Sequence, residues 1–430
     1  MTAEQRTDRH AERRYDIQVK RNLTRNFVAH LLHGMLGQTG FRLIMAPTFV
    51  PAYIMMLSGG SQVMVGLALS LQALGMMLTP FVGANLIEHR KKVLPVGFIT
   101  GGAMRCCVLA VALSGFWLTD DALLYAVMFF LALLGVFQGM QGVIFNFLMS
   151  KVIPVSKRGR LTGYRNLLAG ITSASVAWVG GHYLIGADPT AAGYSWTFLL
   201  AFVLTSIGLC MLLFMHEPEP PIVRQKQSLR ARLGEVPALL RSDPAFTSYF
   251  VARAIATMGR MSMPFYILYA GQTIGLTGQT LGIVTFAFTI AGTVSNIFWG
   301  VVADSRGFRL TFLLSIGLWV ASTVLLVFVT TYAVTIIVFV GIGAAVQGFQ
   351  NSSQNMTLEF GDRQDLPVRI AIANTGSEFA GTLGPLLGGF LAASLGYEWV
   401  FMVSIVFLTV GGIVVRFSVP EPRDGTRRAV

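Results

Sequence analysis

Five ionisable side chains lie deep inside long apolar segments of the sequence, and they are the residues best suited to chemistry. They are Arg42, Arg105, Arg253, Arg260 and the one comparably placed carboxylate, Glu378. A charge inside an apolar segment is costly in a membrane, so each is a candidate functional group. A guanidinium offers a planar fork to a carboxylate or phosphate, and this excess of cations predicts a binding site for a small anion.

The five candidates differ in how well a purely structural role explains them. Arg42 and Arg260 are expected to contact a substrate. Arg253 lies seven residues before Arg260, on the same helical face, and is a weaker candidate. Arg105 is expected instead to bond backbone carbonyls or to reach an interface. Glu378 is either a proton carrier or one partner of a structural ion pair, and both interpretations stay open.

Amide side chains form a second group of candidates. Three of them recur in one apolar segment at spacings of four and three residues, which gives a polar stripe on one helical face. Amides can orient a small solute through donors and acceptors, or they can bond neighbouring helices. We assign to the predicted substrate site the amides Gln138, Gln141, Gln347, Asn351, Gln354 and Asn374.

The sequence predicts neither a metal site nor a cofactor. His30 and His33 share a helical face, but no cysteine lies near them and ordinary packing explains both. The three cysteines have no spacing typical of zinc ligands or disulfides. A phosphate-binding loop of an ATP-driven pump and a nucleophile–base–acid set of an enzyme are both missing from the sequence.

The elements that must position these groups are membrane-spanning helices. Of the 430 residues, 54% are hydrophobic and 12% are charged, against about 25% charged in an ordinary soluble domain. A spanning helix needs about 20 mostly apolar residues. The sequence therefore predicts an all-α polytopic membrane protein with twelve spans. Numbered in chain order, the predicted spans are 27–57, 62–86, 93–117, 122–149, 161–185, 195–215, 246–270, 279–302, 309–331, 333–358, 368–394 and 399–417.

Basic residues follow the positive-inside rule along these spans. They cluster in alternate loops, in the central segment and after span 12, whereas the loops 117–122, 186–194, 271–278 and 394–398 contain no Lys or Arg. This pattern predicts a multi-pass protein of the inner cell membrane with both termini in the cytoplasm. The net charge of +12 is then explained by lipid headgroups, and no nucleic acid is expected as a partner.

The two halves of the chain repeat each other in order. Residues 193–198 (GYSWTF) match 396–401 (GYEWVF), and the PEP at 218–220 matches that at 420–422. Two six-helix repeats are a plan of membrane transporters. The predicted organisation is a tail at 1–26, a six-helix bundle at 27–215, a linker at 216–245, a second bundle at 246–417 and a tail at 418–430.

The loop between spans 8 and 9 reads GVVADSRGFRL and resembles a loop signature of the major facilitator superfamily. Span 11 carries a second such motif, GPLLGG, and the loop between spans 2 and 3 has a degenerate copy of the first. The resemblance implies two six-helix repeats, a cavity lined by spans 1, 4, 7 and 10, and a cytoplasmic gate. Asp304 is expected near the start of span 5 and Glu88 near that of span 11. The implied gating residues are Glu88, Gly300, Asp304, Gly307 and Arg309.

Together these features predict a secondary transporter that moves a small organic solute by alternating access. The buried arginines favour an anion, Glu378 favours coupling to protons, and the resemblance implies a functional monomer. Two alternatives stay open, a multidrug or metabolite efflux antiporter and a non-transporting sensor or assembly factor. Span 5 lacks the Gly-Pro pair of drug–proton antiporters, which disfavours efflux. Substrate identity, direction of transport and stoichiometry are left open by the sequence.

Overall fold

Helices account for almost all of the chain that the structure describes. The structure is a computed structural model, and it describes residues 13–87, 89–220, 237–360 and 366–420. The helices of the twelve spans, in chain order, are Leu23–Gly37, Thr39–Met45 and Phe49–Leu57 (span 1); Gln62–Leu78 and Pro80–Ile87 (2); Leu94–Trp117 (3); Asp120–Val152 (4); Val155–Val179 and Gly180–Ile185 (5); Ala191–Cys210 and Met211–Phe214 (6); Pro244–Met258, Gly259–Ser262 and Met263–Ile274 (7); Gly278–Arg306 (8); Phe308–Val327 (9); Tyr332–Thr357 (10); Leu366–Leu395 (11); and Tyr397–Ser418 (12).

Nine helices within the described ranges are long and apolar enough to cross a membrane, and span 1 makes a tenth when its bent pair is counted. The two parts of span 1 meet at an angle of 46°, next to Pro47, which lacks the amide hydrogen of a continuous helix. Spans 5 and 7 fall outside this criterion. Span 5 begins with several basic residues, and span 7 is interrupted by the 3-10 turn Gly259–Ser262.

The two halves pack their helices in the same pattern. In the first half, span 1 packs on spans 5 and 6, span 4 packs on spans 2 and 3, and span 3 packs on span 6. In the second half, span 7 packs on spans 11 and 12, span 10 packs on spans 8 and 9, and span 9 packs on span 12. The halves meet where span 2 lies along span 11 and span 5 lies along span 8. A duplicated six-helix unit produces this correspondence.

The molecule has two ends of different character. One end consists of short connections, among them 58–61, 186–190 and 275–277, and is called the turn end below. The other carries the loops rich in Lys and Arg, among them 89–93 and 151–160, and is called the basic end. This polarity follows from the alternation of basic loops along the sequence.

At the turn end the halves touch through glycines. A Cβ atom on Gly66 of span 2 would lie 3.2 Å from the Cα of Gly389 in span 11. On the other side of the molecule, a Cβ atom on Gly282 of span 8 would lie 3.2 Å from the Cα of Gly181 in span 5. Small residues allow two helix backbones to approach this closely. The spans that join the halves are therefore in backbone contact here.

Hydrogen bonds reinforce the closure of the turn end. The amide of Gly278 donates to the carbonyl of Gly186 across the two halves at 2.7 Å. The hydroxyl of Thr285 donates to that of Thr48, also at 2.7 Å. The ion pairs described at the basic end join residues of the same half. The bonds that hold the halves together thus lie toward the turn end.

Glu217, which follows span 6, is fixed at the basic end of the first half. Its carboxylate accepts hydrogen bonds of 2.8 Å from the amides of Val93 and Leu94, where the dipole of span 3 favours an anion. It also forms a buried ion pair with Lys151 of span 4. The hydroxyl of Tyr15 donates to the carbonyl of Lys151, and burial together with the nearby Glu217 raises its pKa. The N-terminal segment and the segment after span 6 are therefore tied to one corner of the bundle.

Candidate functional site

A cavity of about 130 Å³ lies between the halves, enclosed by spans 1, 2, 7 and 11. Its wall is apolar except for Gln72, Arg260 and Glu378, and a few polar groups in an apolar wall are typical of small-molecule sites. Spans 4 and 10, which the family resemblance implied as lining, contribute no residue to it, because spans 2 and 11 close over this space near the turn end. The apolar wall consists of Ile44, Met45, Ala46, Pro47, Pro51, Leu69, Ala73, Met76, Met263, Pro264, Gly381 and Pro385.

Arg260 reaches the cavity because span 7 changes its winding at this point. Arg260 lies in the 3-10 turn Gly259–Ser262, between two α-helical parts of the span. The hydroxyl of Ser404 in span 12 donates to the carbonyl of Gly259 at 2.6 Å and holds the turn in place. The hydroxyl of Ser262 also donates to that of Tyr266 at 2.7 Å. This buried network fixes the backbone from which the guanidinium extends.

Glu378 approaches the same point from span 11. Arg260 Nη1 and Glu378 Oε2 each lie 3.8 Å from the position that a Cβ atom would take on Gly381. No direct ion pair joins these two described side chains, which are both half-buried. The missing side chain of Gly381 leaves the space between the cation and the carboxylate open.

Gln72 is a cavity residue that the sequence interpretation missed. It lies on span 2 and is almost fully buried. Its amide nitrogen lies 3.3 Å from the sulfur of Met45, which also lines the cavity. The sequence shows it as one polar residue in an apolar helix, and helical spacing alone does not distinguish it from a residue that faces a neighbouring helix.

Arg42 is absent from the wall of this cavity and lies instead among polar residues of the first half. Its guanidinium donates to the amide oxygen of Asn166 in span 5 at 3.2 Å and to that of Gln38 at 3.3 Å. Arg165, the residue before Asn166, lies on the other side of Gln38. With the Gln38 amide rotated by 180°, its oxygen accepts from Arg165 Nε at 3.1 Å. The two guanidiniums therefore lie on either side of one amide, and its oxygen accepts from Arg42 in one orientation and from Arg165 in the other.

Arg165 is the second residue that sequence reasoning missed. Its guanidinium lies 4.6 Å from the ring centroid of Phe145 in span 4, and its aliphatic part lies across Gly34 of span 1. The edge of the His30 ring contacts the same phenyl ring. Arg165 lies in the helix Val155–Val179 after three other basic residues of the same helix. Its neighbour Asn166, which repeats as Asn374, is the signal that could have found it.

The two other arginines that the sequence analysis singled out are bonded within their own halves. Arg253 donates to the hydroxyl of Thr357 at 3.1 Å and to the amide oxygen of Asn374 at 3.0 Å, so it joins spans 7, 10 and 11. Arg105 donates to the carbonyls of Thr205 at 2.6 Å and Gly101 at 2.7 Å. The backbone bonds predicted for Arg105 are therefore present. Arg253 lies away from the cavity that Arg260 lines.

The predicted amides of span 4 do not form a single group. Gln141 accepts from the hydroxyl of Thr100 at 2.6 Å and donates to the carbonyl of Gly97 at 3.2 Å, both in span 3. These bonds make it a link between helices. The amide oxygen of Gln138 is buried and has no hydrogen-bond partner within the described ranges.

The stripe predicted on span 10 is only partly exposed. Gln347 and Asn351 are half-buried, and Gln354 is exposed. Asn351 accepts a hydrogen bond of 2.7 Å from Asn355 one turn later. The three amides therefore share a face as predicted, although none of them belongs to the cavity at Arg260.

The loop between spans 8 and 9 makes a tight reversal. Gly307 has a φ of +90°, a conformation that favours glycine, and it separates the two helices. Arg309 follows in the first turn of span 9. Its guanidinium donates to the carbonyls of Val415 and Arg416 at the end of span 12. Two of the predicted gating residues thus fix the basic end of the second half.

The remaining gating residues form no contact between the halves in this conformation. Asp304 is exposed, and its carboxylate has neither a hydrogen bond nor an ion pair with the described part of the chain. A Cβ atom on Gly300 would meet nothing within 4 Å, so packing does not require glycine there. Glu88 lies outside the described residues.

Comparisons with known proteins support the architecture. The family model described as Major Facilitator Superfamily matches residues 32–269 and 249–430. The multidrug resistance protein MdtG of Dickeya zeae (strain Ech586) is 28% identical over 170 residues, which is 38% of this chain and 41% of that protein. The match thus spans less than half of that relative.

Two solved structures are similar in fold. A D-xylose-proton symporter has a TM-score of 0.73 at 12% identity, with 93% of this chain and 99% of that chain covered. The nucleoside transporter NupG, solved as a point mutant, has a TM-score of 0.68 at 12% identity, with 90% of this chain and 98% of that chain covered. At this identity the similarity concerns the fold alone.

Proposed function

This chain belongs to the Major Facilitator Superfamily of membrane transporters, and from that premise we propose that it moves a small organic anion together with protons by alternating access. The anion binds at Arg260, and Glu378 carries the proton. The protein works as a monomer in the inner membrane, with both termini in the cytoplasm. Its two six-helix bundles, 27–215 and 246–417, rock about the cavity.

The observation that carries this proposal is the shared cavity of Arg260 and Glu378. Both side chains approach the open space at Gly381, and spans 2 and 11 close over that space near the turn end. A guanidinium in an apolar wall attracts an anion strongly, because the surrounding dielectric is low. The remaining apolar wall suits the carbon skeleton of an organic solute.

Glu378 can couple the two movements through its charge. When it is ionised, its carboxylate competes with the substrate for the field of Arg260. When it is protonated, this competition ends and the anion binds more tightly. Such a coupling between two ligands is typically worth about 1–3 kcal/mol. Anion and proton are then bound together and released together, which is symport.

The gate of this transporter is proposed at the basic end. Asp304 is free to approach the first turns of span 5 when the halves close there, since dipoles at helix starts favour a carboxylate. Gly307 and Arg309 hold the loop that presents it, and Glu88 has the equivalent position in the first half. Gly300 allows the end of span 8 to approach a neighbouring helix in that closed state.

The test is uptake of labelled anions by proteoliposomes under an imposed pH gradient. We expect accumulation of at least one organic anion, and loss of uptake by tenfold or more in Arg260→Gln, because the cation that binds the substrate is gone. Arg160→Gln is the matched control, since Arg160 is exposed at the basic end. Uptake that is equal in Arg260→Gln and wild type would contradict the role of Arg260.

A second variant separates binding from coupling. In Glu378→Gln the side chain is permanently neutral, so we expect exchange of substrate across the membrane to continue while accumulation driven by the pH gradient is lost. Counterflow without a gradient measures the exchange. Gradient-driven accumulation that survives in Glu378→Gln rules out Glu378 as the proton carrier.

Efflux of an organic cation is the second candidate function. The similarity to the multidrug resistance protein MdtG favours it, together with a cavity that is mostly apolar and contains one carboxylate. In that case Glu378 binds the cation, and Arg260 only modulates the charge of Glu378. Proteoliposomes loaded with apolar cations would then release them in exchange for protons, and Arg260→Gln would not abolish this release.

A further inference from the structure

We propose that Arg42 and Arg165 form a second anion site, which binds a compact dianion of the phosphate monoester type and selects doubly charged substrates. The site lies in the first half, between spans 1, 4 and 5. It deepens the proposed function and rests on it for its role in transport. The binding itself is a separate property of these residues.

The two guanidiniums are close enough to share one ligand. Arg42 and Arg165 lie on opposite sides of the Gln38 amide: in one orientation its oxygen accepts from Arg42 at 3.3 Å, and in the rotated orientation it accepts from Arg165 Nε at 3.1 Å. Asn166 accepts from Arg42 on the far side at 3.2 Å. A tetrahedral oxyanion of a size similar to the amide can accept from both forks at once. A single compact group with two negative charges would then neutralise both arginines.

The surrounding spans supply no negative charge for this pair. Spans 1 and 5, as bounded above, contain no Asp or Glu, and span 4 has only Asp120 and Asp121 in its first turn. Asp120 lies 25 residues before Phe145, about 37 Å along the helix at 1.5 Å per residue. The groups that contact the pair are amides and the phenyl ring of Phe145, which are all neutral. Two like charges so close together at membrane depth are unfavourable without a counter-ion.

The bonds of the buried Arg105 differ from those of this pair. Arg105 is only 3% exposed and donates to two backbone carbonyls, so its bonds are structural. Arg165 is half-buried, and its described partners are a side-chain amide and the face of a ring. Both partners can yield to a stronger acceptor without unfolding the backbone. In this respect Arg165 differs from Arg105, and its guanidinium is available to a ligand.

The position of Arg42 connects this site to the transport cavity. Met45, which lines the cavity, follows Arg42 by three residues and thus lies about one helical turn closer to the turn end. A dianion that enters from the basic end therefore meets the arginine pair before it meets Arg260. Selection for charge occurs at the first site, and coupling to protons occurs at the second.

The test uses inorganic phosphate as the probe, with isothermal titration of the purified full chain in a neutral detergent. At about pH 8 the dianion predominates, and acetate at equal ionic strength serves as the monovalent comparison. We expect phosphate to bind at least tenfold more tightly than acetate. Arg42→Gln and Arg165→Gln should each weaken phosphate binding by tenfold or more, and Arg160→Gln on the same span as Arg165 should leave it unchanged.

Two further variants keep the result decisive. Arg165→Lys retains a positive charge but loses the planar guanidinium, so it should bind phosphate with intermediate affinity. This variant replaces Arg165→Gln if Arg165→Gln does not yield monodisperse protein. Arg260→Gln should abolish transport while phosphate binding persists, which separates the two sites. Phosphate affinity that is equal in wild type, Arg165→Gln and Arg165→Lys would overturn the second site, even if anion uptake is observed.

Discussion

Arg42 and Arg165 in the first half lie on either side of the neutral Gln38 amide, whereas in the second half Arg260 faces a cavity together with the carboxylate Glu378. The charge in the first half is fixed, because guanidiniums stay protonated. In the proposed mechanism the charge in the second half changes, because Glu378 carries the proton. The two halves are built on one scaffold and differ in this property.

The shared scaffold is visible in one hydrogen bond that both halves contain. Span 5 and span 11 align without a gap on the glycine pairs at 180–181 and 388–389, and this register pairs Asn166 with Asn374. Asn166 accepts from Arg42 of span 1, and Asn374 accepts from an arginine of the equivalent span 7. Duplication has thus kept an arginine–asparagine bond between corresponding helices.

The same register pairs Glu378 of span 11 with Gly170 of span 5. Gly170 has no room for a side chain, because a Cβ atom there would lie 2.6 Å from Cγ2 of Thr293 in span 8. On the other side of the molecule, the equivalent residue of span 11, Glu378, lines the cavity. The approach of spans 5 and 8 therefore excludes a carboxylate from this position of the first half, and the carboxylate of the proposed proton coupling lies in the second half.

Each basic end has an ion pair with a buried cation, Lys151 in the first half and Arg369 in the second, but the segments after spans 6 and 12 are held differently. In the first half, the buried pair of Glu217 and Lys151 joins the segment after span 6 to span 4. In the second half, Arg309 bonds the last carbonyls of span 12 and is half-buried. A buried pair is sensitive to the loss of either partner, whereas a partly solvated arginine is not. The two corners should therefore respond differently to mutation.

The largest effect is expected from Glu217→Gln. The change leaves Lys151 buried without its counter-ion, and such a loss typically costs about 3–5 kcal/mol. The midpoint of thermal unfolding in detergent measures it. Glu219→Gln is the matched control, because Glu219 pairs with Lys92 at 3.5 Å with more than half of both side chains exposed. Equal midpoints for the two variants would show that the buried pair does not hold this corner.

Gly170→Leu tests the contact that excludes a side chain from span 5. Overpacking of this kind typically costs about 1–3 kcal/mol, and the separation of spans 5 and 8 should also change the rate of transport. Gly163→Leu is the control on the same span, since a Cβ atom there meets nothing within 4 Å. If both variants unfold at the wild-type temperature, steric exclusion does not explain why the carboxylate is absent from the first half.

Much of the fold could be predicted from the sequence, because apolar length and the internal repeat determine it. The all-α fold and the superfamily are confirmed. Among the helix boundaries, the start of span 5 differs most between sequence and structure. It is predicted at 161 and observed at Val155, because the helix includes basic residues that lie outside the apolar segment. The site was predicted less completely. The sequence indicates Arg260 and Glu378 because they lie deep inside apolar segments. Arg165 and Glu217 follow polar or basic residues in the sequence, and only tertiary packing brings them next to the residues that they contact.

The smallest effect is expected from Arg309→Gln in the second half. Its bonds to the end of span 12 are partly solvated, so we expect a loss of about 1 kcal/mol in unfolding free energy. The measurement is the thermal unfolding midpoint of Arg309→Gln compared with that of Arg306→Gln. Arg306 is an exposed arginine of the same loop, so the difference gives the contribution of the Arg309 bonds. A loss as large as that of Glu217→Gln would mean that both basic ends are equally sensitive. Transport, in contrast, should slow in Arg309→Gln more than in Arg306→Gln, because Arg309 anchors the loop that carries Asp304.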